Sequence, residues 1–155
     1  SDWSNGYRDR MDLRLNIVDS LYELVDREPT LVLAVDEPAR IASLVEEVGR
    51  TLGASALVTR SLPHFCEVGA PGAGKSNALD WLRGDLGIPI EETLAFGDGE
   101  GDAGMLHWAG CGVAIIDGHP DAIEAADRAV NRPEENGVLN DLLALLEAGE
   151  FGPAR

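Results

Sequence analysis

Between residues 64 and 149 the sequence alternates short apolar runs with amphipathic stretches, and that alternation constrains the fold more than any other feature. The strand-like runs are HFCEV (64–68), TLAFGDG (93–99), CGVAII (111–116) and RAV (128–130). Between and after them lie SNALDWLRGDLG (76–87), AGMLHWAG (103–110), PDAIEAAD (120–127) and GVLNDLLALLEAG (137–149), each with helical spacing. Strict alternation of this kind implies an α/β fold with a parallel sheet and crossover helices. In the first of these helices Ala78, Leu79, Leu82 and Leu86 form the packing face, and Gly87 closes it.

The preceding segment has a different order. Apolar residues at Leu13, Ile17, Leu21, Leu24 and Val25 predict a helix over 11–27, and LVLAV (31–35) is a short strand. Asp36 then reads as an N-cap, with Pro38 in the first turn and Ile41, Leu44, Val45, Val48 and Leu52 carrying a helix that stops at Gly53. SALVTR (55–60) and HFCEV form a hairpin across a Pro-containing turn. The tail 150–155 is polar and is expected to fray.

Composition narrows the partners. Twelve Lys and Arg against 28 Asp and Glu leave a net charge of −16, a field that repels nucleic acid and anionic membranes. A phosphorylated ligand therefore needs a local cation. Two cysteines, Cys66 and Cys111, make neither a disulfide framework nor a CxxC pair, and no apolar run is long enough to span a bilayer, so a reducing cytoplasmic setting is expected. The first residue is Ser1 rather than Met, which favours a piece of a longer protein.

Two motifs could carry chemistry. GAPGAGKS (69–76) satisfies G-x-x-x-x-G-K-[ST], the pattern of a phosphate-cradling loop, which requires a buried parallel strand before it and a helix after it. HFCEV alternates polar and apolar residues, and so suits an exposed face better than a core strand. The second motif, AFGDGEGDAGML, places Asp98, Glu100 and Asp102 within five residues after an apolar strand, where ligands gather in open α/β sheets and where clustered oxygens suit Mg²⁺.

The stretch GKSNALDWLRGDLGIPIEETLAFGDGEGDAGMLHWAGCGVAI resembles the C-terminal half of haloacid dehalogenase superfamily phosphatases of the Cof type, subclass IIB, and the likeness runs from about Leu31 to Leu146. That family's lysine, its G-D-x-x-N-D-M-L, its A-G-x-G-V-A-M, its A-D and its E-D-G-V find counterparts in Lys75, in Gly97, Asp98, Asp102, Met105 and Leu106, in Ala109 to Ala114, in Ala126 and Asp127, and in Glu135 to Val138. The resemblance implies a partial α/β cap over 1–68, the second half of a Rossmann-like core over 69–150 and a tail over 151–155. It implies a Mg²⁺-dependent phosphohydrolase acting on small phosphorylated metabolites. Lys75 would contact the phosphoryl oxygens, Asp98 and Asp102 would form the metal site, and Lys75, Asp98 and Asp102 together would be the catalytic set. An ammonium and Mg²⁺ answer the need to offset concentrated negative charge on a transferring phosphoryl group. On this reading the glycine-rich stretch is the return from cap to core that delivers Lys75.

The chain also departs from the family. Gly101 stands where an Asn contacts substrate phosphate, Asp117 and Gly118 replace an Asn-Ala pair, and Pro133 takes the place of a later Asn, with Asn131 nearby. No D-x-D nucleophile motif occurs; at Asp36, Pro38 occupies the second acid's position. Three explanations follow: a fragment of a phosphatase, a natural half completed by a complementing N-terminal half, or a non-catalytic ligand-binding protein. A half core would expose a sheet edge and apolar surface and so invite self-association. His64, His107 and His119 are too scattered for a zinc site, Trp81 and Trp108 read as packing residues, and Cys111 reads as a small buried residue.

Overall fold

A computed structural model describes residues 16–24 and 26–149. The chain divides into two compact units at Ala73 and Gly74. The first holds β1 (Leu31–Val35), α1 (Pro38–Leu52), β2 (Leu57–Thr59) and β3 (Phe65–Gly69). Its three strands form an antiparallel sheet in the order β1-β3-β2, with Val32 and Val58 both opposite Val68. Ile41 of α1, Phe65 and Cys66 are its buried residues. Pro38 starts α1 with a preset φ and no donor to lose, and Gly53 ends it at a φ of 51°.

Four expectations for this unit need correction. HFCEV does not open the parallel sheet; its strand is the centre of the antiparallel one, because it is flanked by partners on both sides. The SALVTR strand shortens to Leu57–Thr59, since Gly53–Ser55 close a 3₁₀ turn first. Asp36 is not the N-cap: Glu37 is, and the Asp36 carboxylate accepts from the Glu37 N–H at 2.8 Å while pairing with Arg40 at 3.0 Å. Of the predicted helix over 11–27, the described residues form one 3₁₀ turn, Leu21–Leu24, with Ile17 and Leu21 exposed; Leu13 and Val25 lie outside the described residues, as does the tail 150–155.

The second unit carries the alternation. It runs α2 (Lys75–Leu86), β4 (Leu94–Gly97), α3 (Ala103–Trp108), β5 (Cys111–Ile115), α4 (Pro120–Ala125), β6 (Arg128–Val130) and α5 (Gly137–Ala148). Its strands form a parallel sheet in the order β4-β5-β6, in register Leu94 to Cys111 and Val113 to Arg128. β5, the central strand, is buried from Gly112 to Ile115 and reads as a continuous apolar run for that reason. Ala95, Leu106, Ala114 and Ala122 make the core beneath α3 and α4. The Arg128 guanidinium grips the Asp141 carboxylate with two hydrogen bonds, one at 2.7 Å, and so joins β6 to α5.

Two packing expectations fail here. α2 buries none of its residues: Leu82, Leu86 and Trp81 are exposed, Trp81 by 72%, and only Leu79 of the expected face is half-buried. The amphipathic pattern is real, and the helix packs against α3, but most of its apolar side stays exposed. Cys111 is half-buried, since it begins β5 at the sheet's amino end.

The A-G-x-G motif proves to be packing. A Cβ on Gly112 would run into the Leu106 carbonyl, and the Asp127 carboxylate accepts from the Gly112 N–H at 2.8 Å, which locks the start of β5 under α3. Gly84, within α2, has nothing within 4 Å of the same added atom. Gly112→Ala is therefore expected to destabilise the fold by about 1–3 kcal/mol through overpacking, whereas Gly84→Ala stabilises it by about 0.5–1 kcal/mol through lost unfolded-state entropy. Urea denaturation of the two variants beside the parent checks both signs.

Candidate active site at the carboxyl end of the parallel sheet

β4 ends at Gly97, and the chain turns through Asp98 and Gly99 into a 3₁₀ turn, Glu100–Asp102, that leads into α3. The turn brings Asp102 back over the strand end. A Cβ on Gly97 would lie 2.5 Å from the Asp102 Cβ, so only glycine admits this fold-back. Asp102 is 7% exposed, and its carboxylate is fully engaged. Oδ2 accepts the Asp98 N–H at 3.1 Å and the Gly99 N–H at 3.0 Å, while Oδ1 accepts Lys75 Nζ at 2.5 Å.

Lys75 is the first residue of α2, after Gly74 in extended conformation. Its side chain is 61% exposed, so the ammonium is held at its tip yet remains open to solvent. Burial pushes the Asp102 carboxyl up, but the hydrogen bonds from Lys75, Gly99 and Asp98 and the ammonium's charge outweigh it. Its pKa falls below the ordinary carboxylate value. The Asp102 carboxylate is ionised at neutral pH.

Asp98 is exposed at the strand's end, and its backbone is fixed at both polar groups: its N–H by Asp102 and its carbonyl by the His119 N–H at 2.7 Å. Lys75, Asp98 and Asp102 are thus brought together at the end of β4. Glu100 lies on the same turn, half-buried. A Cβ added at Gly101 would meet nothing within 4 Å.

Among the described residues no three His, Cys, Asp or Glu side chains converge tightly enough to hold a metal by themselves. Mg²⁺ is commonly held by one or two carboxylates, with water and substrate oxygens completing the shell. Asp98 fits such a role as an oxygen donor. Asp102 has both lone pairs of Oδ2 committed to N–H groups and is placed to organise the loop and Lys75.

A cavity of about 200 Å³ lies elsewhere, lined by Leu94, Cys111 and Arg128 at the strands' amino ends together with Glu91, Glu92, Thr93 and Leu145. It is separate from the carboxylate cluster. Sequence reading named Gly97 in the motif but not its steric role, and set His119 aside. The Gly-Asp pair was a signal for the first, whereas the second acts through its backbone and leaves none.

The P-loop reading loses its context. The strand before GAPGAGKS is antiparallel rather than parallel, and Lys75 turns to a carboxylate on its own unit. Comparison with known proteins points elsewhere. The Bacillus subtilis protein YxeH is 32% identical over 117 residues, 76% of this chain and 43% of that one. Phosphatase YwpJ, also from Bacillus subtilis, is 38% identical over 86 residues, 56% of this chain and 30% of its own. The solved subclass IIB sugar phosphatase BT4131 superposes with a TM-score of 0.75 at 26% identity, covering 94% of this chain and 53% of that one. The chain spans less than half the length of these curated relatives and about half of the solved one. The antiparallel sheet matches the cap of that fold, and the three parallel strands match part of its core. With the haloacid dehalogenase-like hydrolase family matching residues 7–142, the chain belongs to that family, in its subclass IIB Cof-type branch.

Proposed function

We propose that this chain carries the phosphate-binding and metal-binding half of a Mg²⁺-dependent phosphohydrolase acting on small phosphorylated metabolites. The observation that carries this reading is the Lys75 ammonium on Asp102, 2.5 Å away, beside the exposed Asp98 carboxylate at the end of β4. A cation and an oxygen donor at one strand end are what a phosphoryl group with its metal needs. Lys75 binds the phosphoryl oxygens, Asp98 ligates the metal, and Asp102 orients both. When bound, Mg²⁺ supplies charge neutralisation and a template for the phosphate. Residues 1–68 are then part of the cap, 69–150 the second half of the core and 151–155 a tail.

No D-x-D occurs, and Asp36 lies at the end of an antiparallel strand with its carboxylate committed to Arg40 and the Glu37 N–H. The nucleophile therefore comes from a complementing N-terminal half, which would also cover the open sheet edge and α2. The absence of D-x-D equally favours a second reading, a ligand-binding protein that uses the same cluster without turnover.

Inorganic phosphate in the presence of Mg²⁺ is expected to raise the melting temperature by a few degrees, as about 100 Kd of ligand does. Lys75→Ala and Asp98→Asn each abolish the rise. Release of phosphate from phosphomonoesters by this chain alone, lost in Asp98→Asn, would place a nucleophile within it and overturn the complementation reading.

Asp102 also links pH to stability. Its folded pKa is depressed, so its contribution is complete above the ordinary carboxylate pKa of about 4 and disappears as pH falls through the folded value. Melting temperature should drop on acidification below about pH 4, and Asp102→Asn should flatten that acid limb while lowering stability at neutral pH. A pH series of thermal melts on both proteins reads this directly.

A further inference from the structure

The second unit has four Lys and Arg residues among positions 74–149: Lys75, Arg83, Arg128 and Arg132. Arg83 pairs with Asp80 in the last turns of α2, and Arg128 is clamped by Asp141 at the amino end of β6. The remaining two stand at the carboxyl end. Lys75 meets the loop after β4, and Arg132 follows two residues after β6 ends at Val130.

Arg132 is tied to the site by a short chain of contacts. Its Nε bonds Asp117 Oδ2 at 2.9 Å, with the Arg132 side chain 56% exposed. Asp117 belongs to the loop after β5, which the Ile116 N–H to Val130 carbonyl bond at 2.9 Å holds beside β6. Two residues further along that loop, the His119 N–H binds the Asp98 carbonyl at 2.7 Å. Arg132 is thereby anchored to the same loop that braces the candidate metal ligand.

We propose that Arg132, steered by Asp117, recognises a second anionic group on the ligand, a carboxylate or a second phosphate, and so selects phosphorylated compounds that carry one. The inference rests on the phosphate-binding reading of Lys75. In a protein of net charge −16 a doubly anionic ligand is repelled at a distance, so a second local cation beside Lys75 would favour its selection. The guanidinium fork suits either oxyanion.

The test is calorimetric titration with three inert probes: propylphosphonate, phosphonopropionate and propylenediphosphonate. The parent chain should bind at least one of the doubly anionic probes about tenfold tighter than propylphosphonate, the worth of one charge-assisted hydrogen bond. Which probe gains tells carboxylate from phosphate. Arg132→Ala should remove that advantage while leaving propylphosphonate affinity unchanged, and Asp117→Asn should reduce it. Lys75→Ala should weaken all three. An unchanged preference in Arg132→Ala, with Lys75→Ala still weakening binding, overturns this inference and leaves the phosphate reading standing. No saturable binding, or indifference to Lys75→Ala, overturns both.

Discussion

The Asp102 carboxylate is the interaction on which the geometry of the candidate site depends. One oxygen takes two backbone N–H groups that the turn after β4 would otherwise leave open, and the other takes the Lys75 ammonium. The ion pair joins residues 27 apart in the sequence. A carboxylate so placed loses hydration by burial and regains more through hydrogen bonds and the nearby charge, which is why it stays ionised. Lys75 is fixed at its tip without being buried, and Asp98 is fixed through its backbone while its carboxylate faces outward. The result is a rigid frame carrying one cation and one open oxygen donor, held before any ligand arrives.

Much of the second unit was legible because each element carries local signals. Gly87 and Gly149 stop their helices in the left-handed region, at φ 68° and 73°, and Pro120 opens α4. The central strand's continuous apolar run is written in Gly112 to Ile115. The first unit was harder. The hairpin of SALVTR with HFCEV was legible from its Pro-containing turn, whereas the antiparallel pairing of HFCEV with LVLAV was not, since nothing in five residues encodes that neighbour. Asp36 and Glu37 are both acids before a proline, and the capping position went to the one whose backbone geometry suited it. At the site, Lys75, Asp98 and Asp102 were legible from motif order. Their division of labour was not, since it follows from which oxygen each N–H reaches.

Motifs that look chemical in the sequence divide sharply in space. Asp98 and Asp102 lie at the strand end, where a ligand can approach. Asp127, in an equally acidic motif, spends its carboxylate on the Gly112 N–H, and Gly112 is required because the Leu106 carbonyl leaves no room for a side chain. The second group holds β5 and α3 at a fixed separation, and α3 in turn carries Asp102 at its N-terminal end. Packing motifs therefore set the position of the chemical ones, although none of their atoms approaches the site.

α2 shows the same dependence from the other direction. It starts with Lys75, yet its apolar side, with Trp81, Leu82 and Leu86, remains exposed to water. Burying a side chain of that size typically contributes about 1.5–3 kcal/mol, so the helix forgoes a large share of the stabilisation its sequence could supply. What holds it is contact with α3, the Trp108 indole N–H on Asp80 at 3.2 Å, and the Lys75–Asp102 pair itself. Exposed polar contacts such as the Trp108–Asp80 bond contribute little. Beside the packing on α3, the ion pair ties the first residue of the helix to the loop after β4 and fixes where its ammonium stands.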